Sequence, residues 1–304
     1  MRIAITGATG FIGQNLSNEL IADGHEIVAF SRDIQKTKSI LGNQVRPAKW
    51  DAKNPKEIAK SADGVDAIVN LVGENIGEGR WSEDKKDAIL KSRMEAGKTI
   101  IEAINEMKRR PEVLIQASAI GYYGNRGDEI LDESSAPGEG FLAEVTEKWE
   151  QSTREVESLG VRRVIIRTSP VLGPFGGLLP QMIKPFRFFV GGVVGKGNAW
   201  FSWIHLDDEI GAIRFLIEGK NQKGVFNLAA PNSIMTKDFF KTLGKVLKRP
   251  CWLRVPAPVM EILMGEKANE LLFSSKRVLP KRLLEAGFKF IFSDIHSALR
   301  NIFT

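Results

Sequence analysis

The sequence predicts an α/β protein: a doubly wound parallel sheet with a smaller, mainly helical lobe toward the C-terminus. Three observations carry this. Short apolar, β-branched runs alternate with helical patterns from residue 2 to residue 167. A glycine-rich turn joins the first run to the first helix. After Arg167 the alternation is broken by Pro170, Gly173, Pro174, Gly176, Gly177, Pro180 and Pro185.

Strands are expected at 2–6, 26–30, 45–49, 66–71, 113–118 and 162–167, most of them runs rich in Val, Ile and Ala. The best supported helices are 11–23, 82–108, which stops before Pro111, and 140–159. A strand at 202–205, an acid-capped helix at 207–218 and a strand at 225–228 then return to the sheet, and from Pro231 helices and proline turns dominate. The expected division is a first domain of 1–170 plus about 202–230, and a second lobe of 171–201 plus 231–304. There is no internal repeat or low-complexity tract.

The first strand runs into Gly7-Ala-Thr-Gly10-Phe-Ile-Gly13, and a helix and a second strand follow. That is the layout of a dinucleotide-binding βαβ unit, spaced G-x-x-G-x-x-G and not G-x-G-x-x-G. Gly7 permits the tight turn, Gly10 lets the backbone approach a pyrophosphate, and Gly13 allows close helix packing, with helix N-terminal amides toward the anion. The second strand ends in Ser31-Arg32-Asp33. Arg32 favours the 2′-phosphate of NADP(H), while Asp33, one residue on, keeps the ribose hydroxyl of NAD(H) as the alternative.

The chain has 304 residues and a formal net charge of +6, with its bases spread among acids, which argues against nucleic acid as a partner. The single cysteine, Cys251, has no His or Cys at metal-ligand spacing and is expected as a buried packing residue, so no metal site is expected. No apolar run is long enough to span a membrane, and Met1-Arg2 leads straight into the glycine turn. The expectation is a cytoplasmic protein without a membrane partner, acting on a small molecule.

In open parallel sheets ligands bind beyond the carboxyl ends of the strands. After the fourth strand comes Asn70-Leu-Val-Gly73-Glu-Asn-Ile76, whose glycine lets the backbone pass close to a dinucleotide. After the fifth comes Ser118-Ala-Ile-Gly-Tyr122-Tyr123-Gly124, which holds both tyrosines of the chain. After the sixth, Thr168-Ser169-Pro170-Val171 forms a wall.

Together, Thr6-Gly-Ala-Thr-Gly-Phe-Ile-Gly13, Trp50-Asp51, Asn70-Leu-Val-Gly-Glu-Asn75, Arg80-Trp81, Ser92-Arg93, Ser118-Ala-Ile-Gly-Tyr-Tyr-Gly124, Phe141-Leu-Ala-Glu-Val145, Trp149-Glu150, Trp203-Ile-His-Leu-Asp-Asp208 and Gly287-Phe288 resemble the short-chain dehydrogenase/reductase superfamily. The likeness is nearly full length. It is to the extended form, and within that to an atypical branch, the epimerase family proteins, whose C-terminal domain has no known function. The resemblance implies a Rossmann domain binding NADP(H), with Gly7, Thr9, Gly10, Phe11, Ile12, Gly13, Ser31, Arg32, Asp51, Leu71, Gly73 and Ser118 touching the cofactor. Extended relatives often dimerise through two long helices, here 82–108 and 140–159, so a homodimer is one expectation and solvated helix faces the other.

Hydride-transferring members of that superfamily use Y-x-x-x-K on one helix face. Here Arg126 follows Tyr122 by four and Gly127 follows Tyr123 by four, and the helix at 140–159 supplies neither partner. Candidate catalytic groups are therefore Ser118, which would hydrogen-bond a substrate oxygen or merely cap its strand, and Tyr122, a displaced acid or a wall aromatic. Without a cationic neighbour Tyr122 should keep its ordinary pKa. Glu144 is a third candidate, a proton donor if buried and helix decoration if exposed.

Glu74, Arg80, Trp81 and Arg93 would recognise an anionic or polyhydroxylated substrate, or else form a surface ion-pair network. Trp203 and His205 are further substrate candidates, with a structural histidine as the alternative. Gly191 to Gly197 lacks the phosphate-loop pattern and is expected to be a flexible cover over the substrate. Two functions follow: an epimerase-like oxidoreductase acting on a carbonyl, alcohol or nucleotide-sugar-like substrate, or a non-catalytic NADP(H)-sensing regulator.

Overall fold

The computed structural model describes every residue from Met1 to Thr304. At its centre lies a seven-stranded sheet with all pairings parallel. Its strands are β1 (Arg2–Thr6), β2 (Glu26–Ser31), β3 (Val45–Lys49), β4 (Ala67–Asn70), β5 (Val113–Ala119), β6 (Arg162–Thr168) and β7 (Gly224–Leu228). The spatial order β7-β6-β5-β4-β1-β2-β3 reverses its winding between β1 and β4. Ligands of such sheets bind at that reversal, beyond the carboxyl ends.

The strands are buried on both faces, so each reads as a nearly continuous apolar run. Their alternate side chains feed two cores. Ile3, Ile5, Val113, Ile115, Val164 and Ile166 pack with Leu16 and Leu20 of α1 (Phe11–Ala22) and with Ile210 and Ile213 of α7 (Leu206–Glu218). Ala4, Val28, Ile68 and Leu114 face the other way, toward Ile100 and Ile104 of α4 (Glu83–Glu106). Between these helices come α2 (Ile34–Leu41), α3 (Pro55–Ala62), α4 (Glu83–Glu106), α5 (Phe141–Gln151), α6 (Leu179–Arg187) and α7 (Leu206–Glu218). Ser82 caps α4 and Asn54 caps α3, where Pro55 takes the first helical position.

A third core lies apart from the sheet. Ile183 and Phe186 of α6, Phe239, Phe240 and Leu243 of α8 (Thr236–Leu247), Trp203 and Leu299 of α10 (Ile295–Phe303) build it, and α9 (Ala257–Met264) lies outside with no buried residue. A short parallel pair, Gly191–Val194 with Cys251–Val255, joins the middle segment to the C-terminal one. Cys251 is half-buried, not fully packed.

Two expectations change at helix ends. The helix expected at 140–159 stops at Gln151 and continues as a 3-10 turn, Arg154–Leu159. Ser152 and Thr153 turn their hydroxyls back onto the carbonyls of Trp149 and Glu150, which competes with further helix. The helix starting near residue 207 is capped by His205, not by an acid: its Nδ1 accepts the Asp207 N–H at 3.1 Å.

Candidate active site

The phosphate end is made of backbone. Gly7 has φ +73°, and a Cβ there would come within 3.1 Å of the Leu71 carbonyl carbon. At Gly13 a Cβ would lie 2.3 Å from the Gly7 carbonyl oxygen, so only hydrogen fits. Gly10 occupies the cap position of α1 and no side chain caps that helix, which leaves its opening amides and positive dipole end for an anion. Thr9 and Ile12 flank this turn half-buried, and the Phe11 ring packs against Gly176, where a Cβ would be 2.1 Å away. This cradle fits a pyrophosphate.

At the end of β2 the two acids or bases on offer differ in their commitments. Asp33 caps α2 by accepting the Lys36 N–H at 3.0 Å, and Ser31 Oγ accepts the Asp33 N–H at 3.1 Å. Arg32 is exposed and forms no hydrogen bond or ion pair within the chain. Asp51 is exposed and accepts from the Lys53 amide at 2.9 Å. A free guanidinium beside a committed carboxylate suits a 2′-phosphate better than a 2′-hydroxyl.

The loop after β4 is propped from beneath. Arg93 is buried, donates to the carbonyls of Glu74 and Ile89 at 3.1 and 2.9 Å, and stacks on Trp149 at 4.8 Å. Its guanidinium sits where a Gly73 Cβ would be, 2.8 Å away. Burial lowers its pKa to about 10, so it keeps its charge at neutral pH. Arg93 was expected to meet substrate; it supports the Gly73 loop instead.

Glu74 pairs with Lys85 at 2.5 Å, and that hydrogen bond holds its carboxyl below the ordinary value. Arg80 donates to the Ile262 carbonyl at 2.8 Å, and Trp81 sets its edge against Phe141, ring centres 5.2 Å apart. Lys267, which pattern reasoning missed, donates to the carbonyls of Gly77 and Gly79 at 3.0 and 2.7 Å. Loop 74–81 is thereby tied to the C-terminal segment.

The opposite end is made of buried side chains. Two polar rows cross the sheet on the α4 and α5 face. In the first, Thr6 Oγ1 donates to Asn70 Oδ1 at 2.8 Å, and Asn70 Nδ2 donates to Gln116 Oε1 at 2.9 Å. In the second, Ser118, Arg167 and Asn227 are register partners on β5, β6 and β7. Arg167 donates to both oxygens of Glu150 on α5, at 2.8 and 2.9 Å, and to the Tyr123 hydroxyl at 3.0 Å. Tyr123 in turn donates to Asn227 Oδ1 at 2.7 Å, and Ser118 Oγ donates to Glu150 Oε1 at 2.7 Å.

Burial opposes the Arg167 charge, but the two bonds it donates to Glu150 outweigh that and its pKa is raised. The Arg167 guanidinium lies 3.4 Å from the centre of the Tyr122 ring. Tyr122 therefore has the cationic neighbour that its sequence surroundings lack. Desolvation still prevails over that cation, and the Tyr122 pKa is raised above its ordinary value. Tyr123 is pushed up to about 12, again chiefly by burial.

Sequence reasoning missed Glu150, Arg167, Tyr123 and Asn227 as a unit. The available signal was Arg167 itself, a charge at an inward position of a strand buried on both faces. Three expected site residues are corrected. Glu144 is exposed and pairs with Lys148 one turn on, which makes it helix decoration. Trp203 is fully buried and donates to the Asn232 carbonyl. His205 is buried, caps α7 and stacks on Phe292 at 4.0 Å; desolvation lowers its pKa, so it stays neutral and can accept. Trp203 belongs to the third core and His205 packs on Phe292 at its border, while the short strand Ile204–His205 pairs with Val171–Leu172 just past the carboxyl end of β6.

A dinucleotide cradle at a sheet reversal beside a buried polar cluster defines a Rossmann-type nucleotide-binding fold of the dehydrogenase and epimerase kind. The chain belongs to the NAD dependent epimerase/dehydratase family, which it matches over residues 3–229, and residues 255–302 match a domain of unknown function, DUF1731. It is 37% identical over 303 residues to the epimerase family protein YfhF of Bacillus subtilis, covering 99% of this chain and 98% of that one. It is 39% identical over 304 residues to the chloroplastic epimerase family protein SDR39U1 homolog of Arabidopsis thaliana, covering 99% of this chain and 86% of that one. The crystal structure of human epimerase family protein SDR39U1 with NADPH superposes with a TM-score of 0.89 at 31% identity, covering 99% of each chain.

Proposed function

We propose that this protein binds NADP(H) and is an epimerase-like oxidoreductase of a small carbonyl, alcohol or nucleotide-sugar-like substrate. The observation that carries it is Ser118 and Tyr122 set on the buried Glu150–Arg167 pair at the carboxyl ends of β5 and β6, the same edge as the glycine cradle. Gly7, Gly10, Gly13 and the start of α1 hold the pyrophosphate, Arg32 the 2′-phosphate, and Leu71 and Gly73 the adenosine side. The crystal structure of the human relative with NADPH supports that choice over NAD(H). A nicotinamide held there would supply hydride transfer.

The remaining chemistry belongs to the chain. Ser118 donates its hydroxyl hydrogen bond to Glu150, so toward a substrate it presents lone pairs and accepts from a substrate hydroxyl. Arg167 holds Glu150 in place and braces the Tyr122 ring. Tyr122 is kept protonated, which suits an acid and not a base. The first domain, 1–170 with about 202–230, carries the cofactor. The second lobe and loop 74–81 enclose the substrate, and Glu74, Arg80 and Trp81 supply its polar wall.

One observation favours a second reading, a non-catalytic NADP(H) sensor: neither tyrosine of the site has the lowered pKa of an activated base. NADPH oxidation across aldehydes, quinones and nucleotide sugars separates the two. Turnover that falls at least tenfold in Ser118→Ala or Tyr122→Phe supports the enzyme. NADPH binding by calorimetry without turnover on any substrate supports the sensor, and no binding to either cofactor form removes both.

A further inference from the structure

Residues 158–206 and 239–260 contain no Asp or Glu. The fold brings the two stretches together: α6 packs on α8 through stacked Phe186 and Phe240, and Cys251–Val255 pairs with Gly191–Val194. On the outside of this junction stand Phe188, 77% exposed, Phe189, 55%, Val190, 46%, and Trp252, 66%. Phe189 holds φ +63°, a conformation that a bulky side chain seldom adopts.

The protruding turn is nevertheless well tied. Phe189 and Val190 donate their amides to the carbonyls of Phe186 and Pro185, both at 3.0 Å, and Trp252 Nε1 donates to the Phe189 carbonyl at 3.1 Å. An ordered, strained turn is spent on keeping apolar groups in water.

Six cations stand on the elements that form this junction: Lys184 and Arg187 on α6, Lys241 and Lys245 on α8, and Lys248 and Arg249 after it. All are exposed, and no carboxylate lies within ion-pair distance of any of them. Four of them, Lys241, Lys245, Lys248 and Arg249, line a hollow of about 370 Å³ with Gly244 and Cys251. Arg249 also lies over the Phe189 ring at 4.5 Å, joining the cationic hollow to the aromatic edge.

We propose that this face docks on a bilayer containing anionic phospholipid, with phosphate headgroups in the hollow and Phe188, Phe189, Val190 and Trp252 entering the interface. Charge complementarity selects an anionic surface, and the apolar tips select lipid over a soluble polyanion, because they gain only by leaving water. No helix is long and apolar enough to cross a membrane, so the contact is peripheral. The sequence expectation of no membrane partner rested on the lack of an apolar run long enough to span a bilayer, which does not bear on a peripheral face.

Co-sedimentation of the full chain with vesicles tests this. Binding is expected to phosphatidylcholine vesicles containing phosphatidylglycerol, and only weakly to pure phosphatidylcholine. Lys241→Glu with Lys245→Glu, and separately Phe188→Ala with Trp252→Ala, should each lower binding by roughly tenfold or more, with thermal melting unchanged. Brominated lipid should quench tryptophan fluorescence in the wild type, and less in Trp252→Phe, whatever the other variants do. Absence of binding to the anionic vesicles overturns the proposal. Binding that ignores the aromatic pair and is competed by heparin also overturns it, and marks a site for soluble polyanions.

Discussion

Two stretches of the sheet's carboxyl edge are built by opposite means. At β1, Gly7 to Gly13 form a cradle from main-chain atoms, and its requirements are space and a helix terminus. At β5 and β6, Ser118, Glu150, Arg167, Tyr123 and Asn227 form a closed side-chain network whose members lie up to 109 residues apart, from Ser118 to Asn227. The first stretch depends on the absence of side chains and the second on every side chain having its partner. They should therefore fail differently.

The largest loss is expected from breaking the buried pair. Glu150→Ala leaves Arg167 charged and unpaired, and should lower the unfolding free energy by about 3–5 kcal/mol, measured by urea unfolding. Adding Arg167→Met should recover much of that loss. A double variant no more stable than the single one would mean that the network behaves as independent contacts, and the contrast would break.

Next comes Glu209 on α7, fully buried beneath β6, where the Thr168 hydroxyl donates to it at 2.8 Å. Burial pushes its carboxyl up to about 8, from an ordinary value of 4.5. The folded protein therefore holds a proton that the unfolded chain has lost between those values, and stability falls as pH rises through that window. Glu209→Gln should flatten the decline between about pH 5 and about pH 8, a difference of a few kcal/mol at about 1.4 kcal/mol per pKa unit. Parallel melting curves against pH for the two proteins would place an ionised carboxylate there and remove this reading.

At the cradle end, Arg32→Ala should weaken NADPH by about tenfold to a hundredfold and leave NADH unchanged, as seen by calorimetry. An unchanged NADPH preference would move the 2′-phosphate elsewhere. The smallest effect is expected from Glu144→Gln, which should alter neither melting nor any NADPH oxidation, because its carboxylate meets only Lys148 and solvent. A measurable loss of turnover there would restore Glu144 to the site.

Much of the architecture is legible locally. The runs at 2–6 and 45–49 appear with the expected bounds, and β2, β5 and β6 extend one residue further than their apolar patterns suggest. The cradle is equally local, since three glycines in seven residues between strand and helix state their own geometry. The reaction end is not, because Glu150 reads as an ordinary helix-surface acid until α5 is laid on β6. Tyr122 shows the same limit: its cation, Arg167, is distant in sequence and reaches it only through strand pairing. His205 and Trp203 mislead for the converse reason, since polar and aromatic residues near a strand end look functional when they are capping and filling a separate core.

The polar rows Thr6–Asn70–Gln116 and Ser118–Arg167–Asn227 bear on how the chain finds its shape. Parallel strands brought together from far along the chain have few local cues to alignment. A slip of one residue in β4, β5 or β6 turns its polar member onto the opposite, oily side of the sheet and leaves hydrogen-bonding groups stranded there. The rows thus act as alignment marks, penalising misaligned intermediates before the helices close over them.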